Sequence, residues 1–479
     1  MAFGWKVVYG GKTPPPGAVV RPGERLSWPR TAGLGAQHVV AMFGATFVFP
    51  IIMGLNPQLA VMMSGVATIC FLLIVNGRVP SYLGTSASFV GGVVAIGAEI
   101  KKDNPDALPG DIAPSVTGAI MVAGLVLLAC GVLIHYLGSG VLHAVLPPVV
   151  TGAVVMLIGF NLAPVVASVY WPQDQWVAFL TMTFVLSIAV GLRGFFGRIA
   201  IFLGLIFGYI LSWIFDGLFG MIHSYDPAVG AETTHFRVNW DNVKSADWIG
   251  FPPHTEAGTS TVGWHLPSFS FAFTLLVLPA VIALIAENTG HVKAVAEMTG
   301  DDLDPVMGRA IAADGFGTSL TSFVGGSPTT TYAENIGVMA ATRIYSTAAY
   351  YVAALVAIAF GLSPKFGALV SSVPGAVLGG ITVILYGMIG LLGAKIWIEN
   401  GVNFANPINL VPIAAGIIIA IGNVSMEITD NFTLTGIALG TLVTIIFYHT
   451  ARVIAPGHLR EEGALITAGG PGAQHVVEE

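Results

Sequence analysis

Five ionisable side chains fall inside the long apolar runs of this 479-residue chain: His38, Glu287, His291, Asp314 and Glu334. Charges within membrane spans are costly, so each is a functional candidate by default. Glu287 and His291 stand four apart in AENTGHVKA. On a helix they share one face, one turn apart, where a carboxylate and an imidazole can share or pass a proton. A plainer reading ends the helix at Glu287, with Lys293 just beyond; a break at Pro279 would instead leave Glu287 deep in the packed core. Glu334, in SPTTTYAENIGVMAATR, sits at a helix start, where free N–H groups and the helix dipole favour a carboxylate. A simple N-terminal acid would look the same, but at mid-membrane a neutral serine or asparagine caps at less cost. His38 reads either as a packed, hydrogen-bonded histidine or as a proton site. Asp314, in AADGFGTSL, suits an anchor that holds a half-helix by hydrogen bonds. His135 and His143 lie near helix ends and are expected at the interface.

The elements that must position these groups follow from composition. The chain is 54% hydrophobic and 9% charged, with a mean hydropathy of +0.80. Soluble domains carry about 25% charged residues, so lipid is the expected solvent. A net charge of -7 gives no support to a nucleic-acid partner. Cys70 and Cys130 both lie in apolar runs, which suits neither a disulfide framework nor a metal site. No nucleophile elbow, metal-ligand cluster or phosphate loop is present, which argues against an enzyme. The first thirty residues are polar and Pro/Gly-rich, so the first span is expected to act as the insertion signal. Sixty glycines suit a tightly packed bundle.

About a dozen stretches are long and apolar enough to span: 34–53, 57–76, 112–137, 142–163, 175–192, 196–219, 269–287, 306–324, 346–362, 374–396, 410–421 and 434–448. Two more, 81–96 and 329–341, are short, rich in Gly, Ser and Thr, and preceded by Pro80 and Pro328. They read as re-entrant connectors or as a pair of half-helices meeting at the midplane. Non-helical backbone survives at that depth only when protein buries it or a cavity is lined by it. Each is the third segment after a fresh start, the pattern of an inverted-repeat transporter with seven plus seven spans. With the N-terminus inside, fourteen lysines and arginines fall in cytoplasmic segments and five outside (Lys101, Lys102, Arg237, Lys244, Lys365), as the positive-inside rule expects. The polar stretch 221–267 then lies outside as a structural loop. If 85–88 and 330–333 are extended, they can pair as a short ribbon whose free amide and carbonyl groups face a cavity. A planar amide ring matches such groups, and two glutamates can accept from its N–H donors.

The segment AENIGVMAATR at 333–343 resembles the signature of the nucleobase–ascorbate transporter family, the nucleobase:cation symporters, through Glu334, Asn335, Gly337, Thr342 and Arg343. The Gln37–His38 pair in the first span and Glu287 with His291 in the eighth also match, and the resemblance covers roughly residues 30 to 450 in segment order. It implies an all-α polytopic membrane protein of fourteen transmembrane segments in a seven-plus-seven inverted repeat, with half-helix/short-strand segments at positions 3 and 10. A core domain would comprise 31–137 and 268–364, and a gate domain 138–219 and 365–452. An extracytoplasmic loop at 220–267 and cytoplasmic tails at 1–30 and 453–479 complete the chain.

The resemblance further implies site residues. Glu287 and Glu334 would bind the base, Tyr332 would pack on it, and the backbone near Ser86, Ala87 and Ala333 would bond it. His291 would assist through water. Proton coupling would involve Glu287, Glu334, His291 and His38, with Asp314, Asn335 and Gln37 in support. The coupling ion H+ replaces any cofactor, and the family commonly dimerises through its gate domains. The implied activity is import of a nucleobase with protons across a bacterial cytoplasmic membrane. Members similar to uracil permeases carry glutamate where Glu334 stands, and purine-type members more often glutamine. Uracil members also carry a bulky aromatic at the position of Ala87; here Phe89 is the nearest, which leaves room for xanthine or uric acid. A hydrogen-bonding group discriminates more strongly than one missing side-chain contact, so uracil is the expected base. An anion carrier of similar architecture is the alternative that half-helix N-termini would suit, against which stand the two acids.

Overall fold

The computed structural model describes residues 4–15, 17–138, 146–193, 195–226, 231–429 and 432–460. His143, the start of the span expected at 142–163 and the tail beyond 460 lie outside the described residues. The described chain is overwhelmingly helical, with four two-stranded ribbons. Eight of its helices are long and apolar enough to cross a membrane, or nine if Thr347–Gly361 and Pro364–Ser371, bent by 84°, count as one span. Gln175–Gly191 and Pro407–Ile421 are shorter apolar helices. This is a multi-pass membrane protein.

Among the described residues, those within 1–139 and 163–385 form one compact unit, and those within 140–162 and 386–479 a smaller one. In the smaller unit the helices Pro148–Phe160, Pro407–Ile421 and Gly436–Ile454 pack together. Trp397 Nε1 donates to the Val149 carbonyl at 3.0 Å there.

In the larger unit the helices Pro109–Leu137 and Asp304–Phe323 make the most extensive helix–helix contact. A Cβ at Gly131 would collide with the backbone of Ala312, so glycine lets these two backbones touch, as the glycine content led one to expect. Helix starts carry local signals: Asn56 accepts from Leu59 N with Pro57 in the first turn, and Asp174 accepts from Trp176 N and Val177 N.

Both odd segments are strand-then-helix units. The first runs Leu83–Thr85, a 3-10 turn Ala87–Phe89 and the helix Val90–Asp103; the second runs Thr329–Thr331 and the helix Ala333–Thr342. Their strands pair antiparallel, Leu83 with Thr331, Gly84 with Thr330 and Thr85 with Thr329. The ribbon therefore exists but sits earlier in both segments than 85–88 and 330–333. The reason is local: Ser86 caps the 3-10 turn by accepting from Ser88 N, and Ala333 already begins its helix.

A second correction concerns the span expected at 269–287. The helical run is Phe271–Val277 followed by Pro279–Thr299, ending at Gly300 in the left-handed region (φ 70°). Leu278 keeps right-handed helical angles, so Pro279 interrupts the bonding but not the path. Glu287 is thus twelve residues short of the helix end at Thr299 rather than at it.

The stretch 221–267 is a loop stitched to the helix ends. It holds the hairpin Ile222–Asp226 with Ala231–His235 and the short helix Asp241–Ser245. Asn56 Nδ2 donates to Val262 O at 2.8 Å, and Gly258 N to Asp111 Oδ1 at 2.8 Å. His265, 5% exposed, lies between Thr117 Oγ1 (3.0 Å) and Thr255 Oγ1 (2.8 Å).

Candidate functional site

The ribbon is the scaffold on which the candidate side chains converge, and all of them lie in the larger unit. Its first strand is tied to the helix Pro57–Ile74: Leu83 N donates to Thr68 Oγ1 at 2.9 Å. Its second strand is tied to the helix Asp304–Phe323: Thr329 N donates to Thr318 Oγ1, which donates to the Thr329 carbonyl. Threonines thus satisfy strand groups that would be costly to bury unpaired. Gly84 has no room for a side chain, because a Cβ there would lie 2.5 Å from the Tyr332 ring and 2.6 Å from Thr46 Oγ1. Tyr332 is 4% exposed; its hydroxyl donates to the Thr85 carbonyl (2.7 Å) and accepts from Thr46 Oγ1 (3.1 Å). The ring is therefore a brace across the ribbon.

The other edge meets the helix Pro279–Thr299. Thr330 Oγ1 donates to Glu287 Oε2 at 3.2 Å. Thr331 Oγ1 donates to Asn288 Oδ1 at 3.3 Å and lies 2.7 Å from His291 Nδ1. A threonine hydroxyl has one hydrogen, so with that hydrogen on Asn288 the imidazole must donate from Nδ1, which leaves Nε2 as a free acceptor. Asn288 Nδ2 in turn donates to Asp314 Oδ2 at 2.5 Å, while Asp314 Oδ1 has no hydrogen-bond partner among the described residues. Asp314 and Asn288 are both fully buried. Asp314 is thus linked through Asn288 to Thr331 of the ribbon.

Glu287 and Glu334 lie within electrostatic reach of each other, and both are half-buried rather than sealed. Glu334 stands in the first turn of its helix. Ala87 is half-buried and Ala333 exposed; each opens a helix, and their N–H groups have no partner among the described residues. The Ser86 N–H is already taken by the Pro328 carbonyl at 2.9 Å. The structure thus brings together Glu287, Glu334, His291 and the helix starts at Ala87 and Ala333.

His38 stands apart from that group. It is 2% exposed, its ring packs on Tyr350 at 4.3 Å, and Asn335 Nδ2 donates to its carbonyl at 2.9 Å and lies 3.3 Å from Nδ1. His38 and Asn335 join the first helix to the second half-helix. Gln37 is half-buried, and its side chain makes no hydrogen bond among the described residues. Sequence reasoning missed Asn288, Thr46 and the role of Thr331. Neutral polar residues raise no alarm by cost alone; the only signal was spacing, since Thr46 lies eight residues after His38 on the same helix face.

Ionisable groups beside a ribbon that joins broken helices, inside a multi-pass bundle, define a membrane transporter rather than an enzyme. The chain belongs to the Permease family (Xan_ur_permease), which it matches over residues 30–428. It is 41% identical over 434 residues to the "Putative pyrimidine permease RutG" of Escherichia coli (strain K12), covering 89% of this chain and 91% of that protein. It is 32% identical over 436 residues to the "Uracil permease" of Bacillus subtilis (strain 168), covering 88% and 92%. Among solved structures, the transmembrane domain of the cyanobacterium bicarbonate transporter BicA has a TM-score of 0.53 at 15% identity, covering 88% of this chain and 96% of that one. SLC26A9 has a TM-score of 0.61 at 11% identity, covering 89% and 65%. These two likenesses concern the fold alone.

Proposed function

We propose that this chain is a symporter that imports a nucleobase, uracil first, together with protons by alternating access. The observation that carries the reading is the pair Glu287 and Glu334, half-buried beside the open amides of Ala87 and Ala333. Uracil offers two ring N–H donors to carboxylates and two carbonyls to amides, so both kinds of group are used. The helix starts at Ala87 and Ala333 supply partial positive charge at the carbonyls. His291 Nε2 serves as a further acceptor, through water. Relatives named for pyrimidine or uracil favour this base over the purine alternative, and the two acids disfavour an anion cargo.

In this reading Glu287 and Glu334 exchange the coupled proton with His291 in support. His38 acts through Asn335 on the half-helix, and Tyr332 acts by bracing the ribbon. The same proposal takes fourteen spans in an inverted repeat, a core domain at 31–137 and 268–364, and a gate domain at 138–219 and 365–452. Both termini are cytoplasmic in a bacterial inner membrane, the loop 220–267 is extracytoplasmic, and two copies pair through their gate domains.

The test is uptake of labelled uracil into proteoliposomes with an imposed pH gradient, beside a binding panel of thymine, xanthine, uric acid and adenine. Uptake should rise with inward proton force and be competed best by uracil. Uptake indifferent to the gradient removes the coupling; tightest binding of a purine removes the choice of base.

A further inference from the structure

The helix Pro279–Thr299 meets the ribbon through Glu287, Asn288 and His291, and of these Asn288 alone is fully buried. Both of its amide hydrogens are committed. Nδ2 donates to the Leu284 carbonyl at 3.0 Å, one turn back, and to Asp314 Oδ2 at 2.5 Å. The Leu284 carbonyl can only accept, so a flipped amide would set oxygen against oxygen. Asn288 Oδ1 is therefore turned to the ribbon, where Thr331 Oγ1 lies 3.3 Å away.

That fixed amide decides the state of a neighbour that does not touch it. A buried amide oxygen is seldom left unmet, and the Thr331 hydroxyl is the donor that Asn288 Oδ1 has among the described residues. With its one hydrogen spent there, Thr331 Oγ1 can only accept from His291 Nδ1 at 2.7 Å. A neutral ring then carries its hydrogen on Nδ1, and a charged ring carries one there too. Nε2 is the nitrogen at which the ring gains or loses a proton. It has no partner among the described residues, and neither has Glu287 Oε1, whose sister oxygen is held by Thr330. These two open acceptors stand four residues apart on one helix, on one face.

We propose that Asn288 is a positioning residue that fixes His291 in the Nδ1–H form, so that cargo donors and the coupled proton are taken at Nε2 alone. The inference rests on the site proposed above and deepens it, adding an acceptor of fixed polarity to the two carboxylates. A cargo with several N–H groups is matched by such a set, whereas one that presents only carbonyls meets lone pairs. An Asn288 that served packing alone would hold Leu284 and Asp314 equally well and leave the imidazole free to choose its tautomer.

The experiment is nitrogen NMR of the full chain in nanodiscs with isotope-labelled histidine, at about pH 8, above the ordinary imidazole range. His291→Gln identifies the His291 signals by their loss. The wild type should show Nδ1 protonated and Nε2 bare, the reverse of the form that histidine favours in water. In Asn288→Thr the new hydroxyl can bond back to the Leu284 carbonyl but is too short to meet Thr331. The Thr331 hydrogen is then free to face Nδ1, and the ring should turn mainly to the Nε2–H form, with uracil bound about tenfold more weakly. Thr331→Val reads the same link from the ribbon and should also release the tautomer, while Thr331→Ser should keep it. An Nε2–H ring in the wild type overturns the assignment, as does an unchanged tautomer in monodisperse Asn288→Thr or Thr331→Val. Saturating uracil should move the Nε2 resonance and leave Nδ1 protonated; uracil that binds without moving Nε2 overturns the part given to that nitrogen. If no base binds, the nucleobase reading fails, and the tautomer measured without cargo still judges Asn288.

Discussion

The two strand-then-helix segments share a backbone and divide the chemistry. Each begins after a proline, contributes three residues to one ribbon and turns into a helix with an open N–H at its first residue. The first segment, Leu83–Thr85 and its turn, offers Gly84, Ser86, Ala87 and Ser88, with no acid in the first turn of its helix. The second offers Thr330, Thr331 and Glu334 and faces Glu287, Asn288 and His291. One segment supplies room and backbone; the other supplies charge and a hydrogen-bonded network. Two segments of like local build therefore need not carry like chemistry: small residues keep the first segment permissive, and costly groups are confined to the second.

Substitutions should separate these roles. The largest effect belongs to the charged side. Glu287→Gln or Glu334→Gln should lower uracil uptake by about 100-fold or more, with insertion and monodispersity retained. Near-normal uptake in either would show that the charge division has no bearing on transport. Next is the permissive side. Gly84→Val drives a branched side chain into Tyr332 and Thr46, an overpacking that should cost about 2–3 kcal/mol of stability. Thermal melting in detergent reads this out, and an unshifted midpoint would mean that the ribbon relaxes freely.

Thr331→Val probes the network alone. It strips partners from Asn288 and His291, and about 1–2 kcal/mol of lost hydrogen bonding predicts roughly tenfold weaker base binding. The matching change on the first segment, Ser88→Ala, should move binding less. The smallest effect concerns the approach to the second segment. His265 N donates to Val324 O at 3.3 Å, and its ring sits against Gly325. Burial, chiefly, pushes the His265 imidazole below its ordinary range, with the charge of His254 adding to the shift and backbone hydrogen bonds opposing it. The unfolded chain then binds the extra proton first. The stabilisation is complete above an unfolded pKa of about 6.5 and is lost as pH falls from there toward the lower folded value. His265→Gln should flatten that acid limb of stability; an unchanged slope would assign the pH dependence elsewhere.

Much of the second segment was legible in the sequence and little of its bracing. Pro80 and Pro328 followed by hydroxyl-rich chain announced both interruptions, because proline and glycine punctuate any helical pattern. The i, i+4 spacing of Glu287 and His291 correctly put both on one helix, which runs on to Thr299 because no breaker follows until Gly300. The position of the ribbon was misjudged by about two residues, since capping by Ser86 rather than hydrophobic pattern decides where strand gives way to turn. The Asn288–Asp314 contact could not be read at all. It joins two helices whose polar residues are scattered around the axis instead of gathered on one face, so periodicity carries no information about which face meets which neighbour.

The pairing of Thr85 with Thr329 also sets an order of events during synthesis. The strand at 83–85 is complete some 244 residues before its partner leaves the ribosome, the difference between positions 329 and 85. At about 5–20 residues per second that is a wait of roughly 10–50 s. For all of that time a short, unpaired backbone must be sheltered from lipid by something other than its eventual mate. Insertion machinery, neighbouring helices or trapped water has to chaperone it, and the candidate site is assembled only when the second half of the chain arrives.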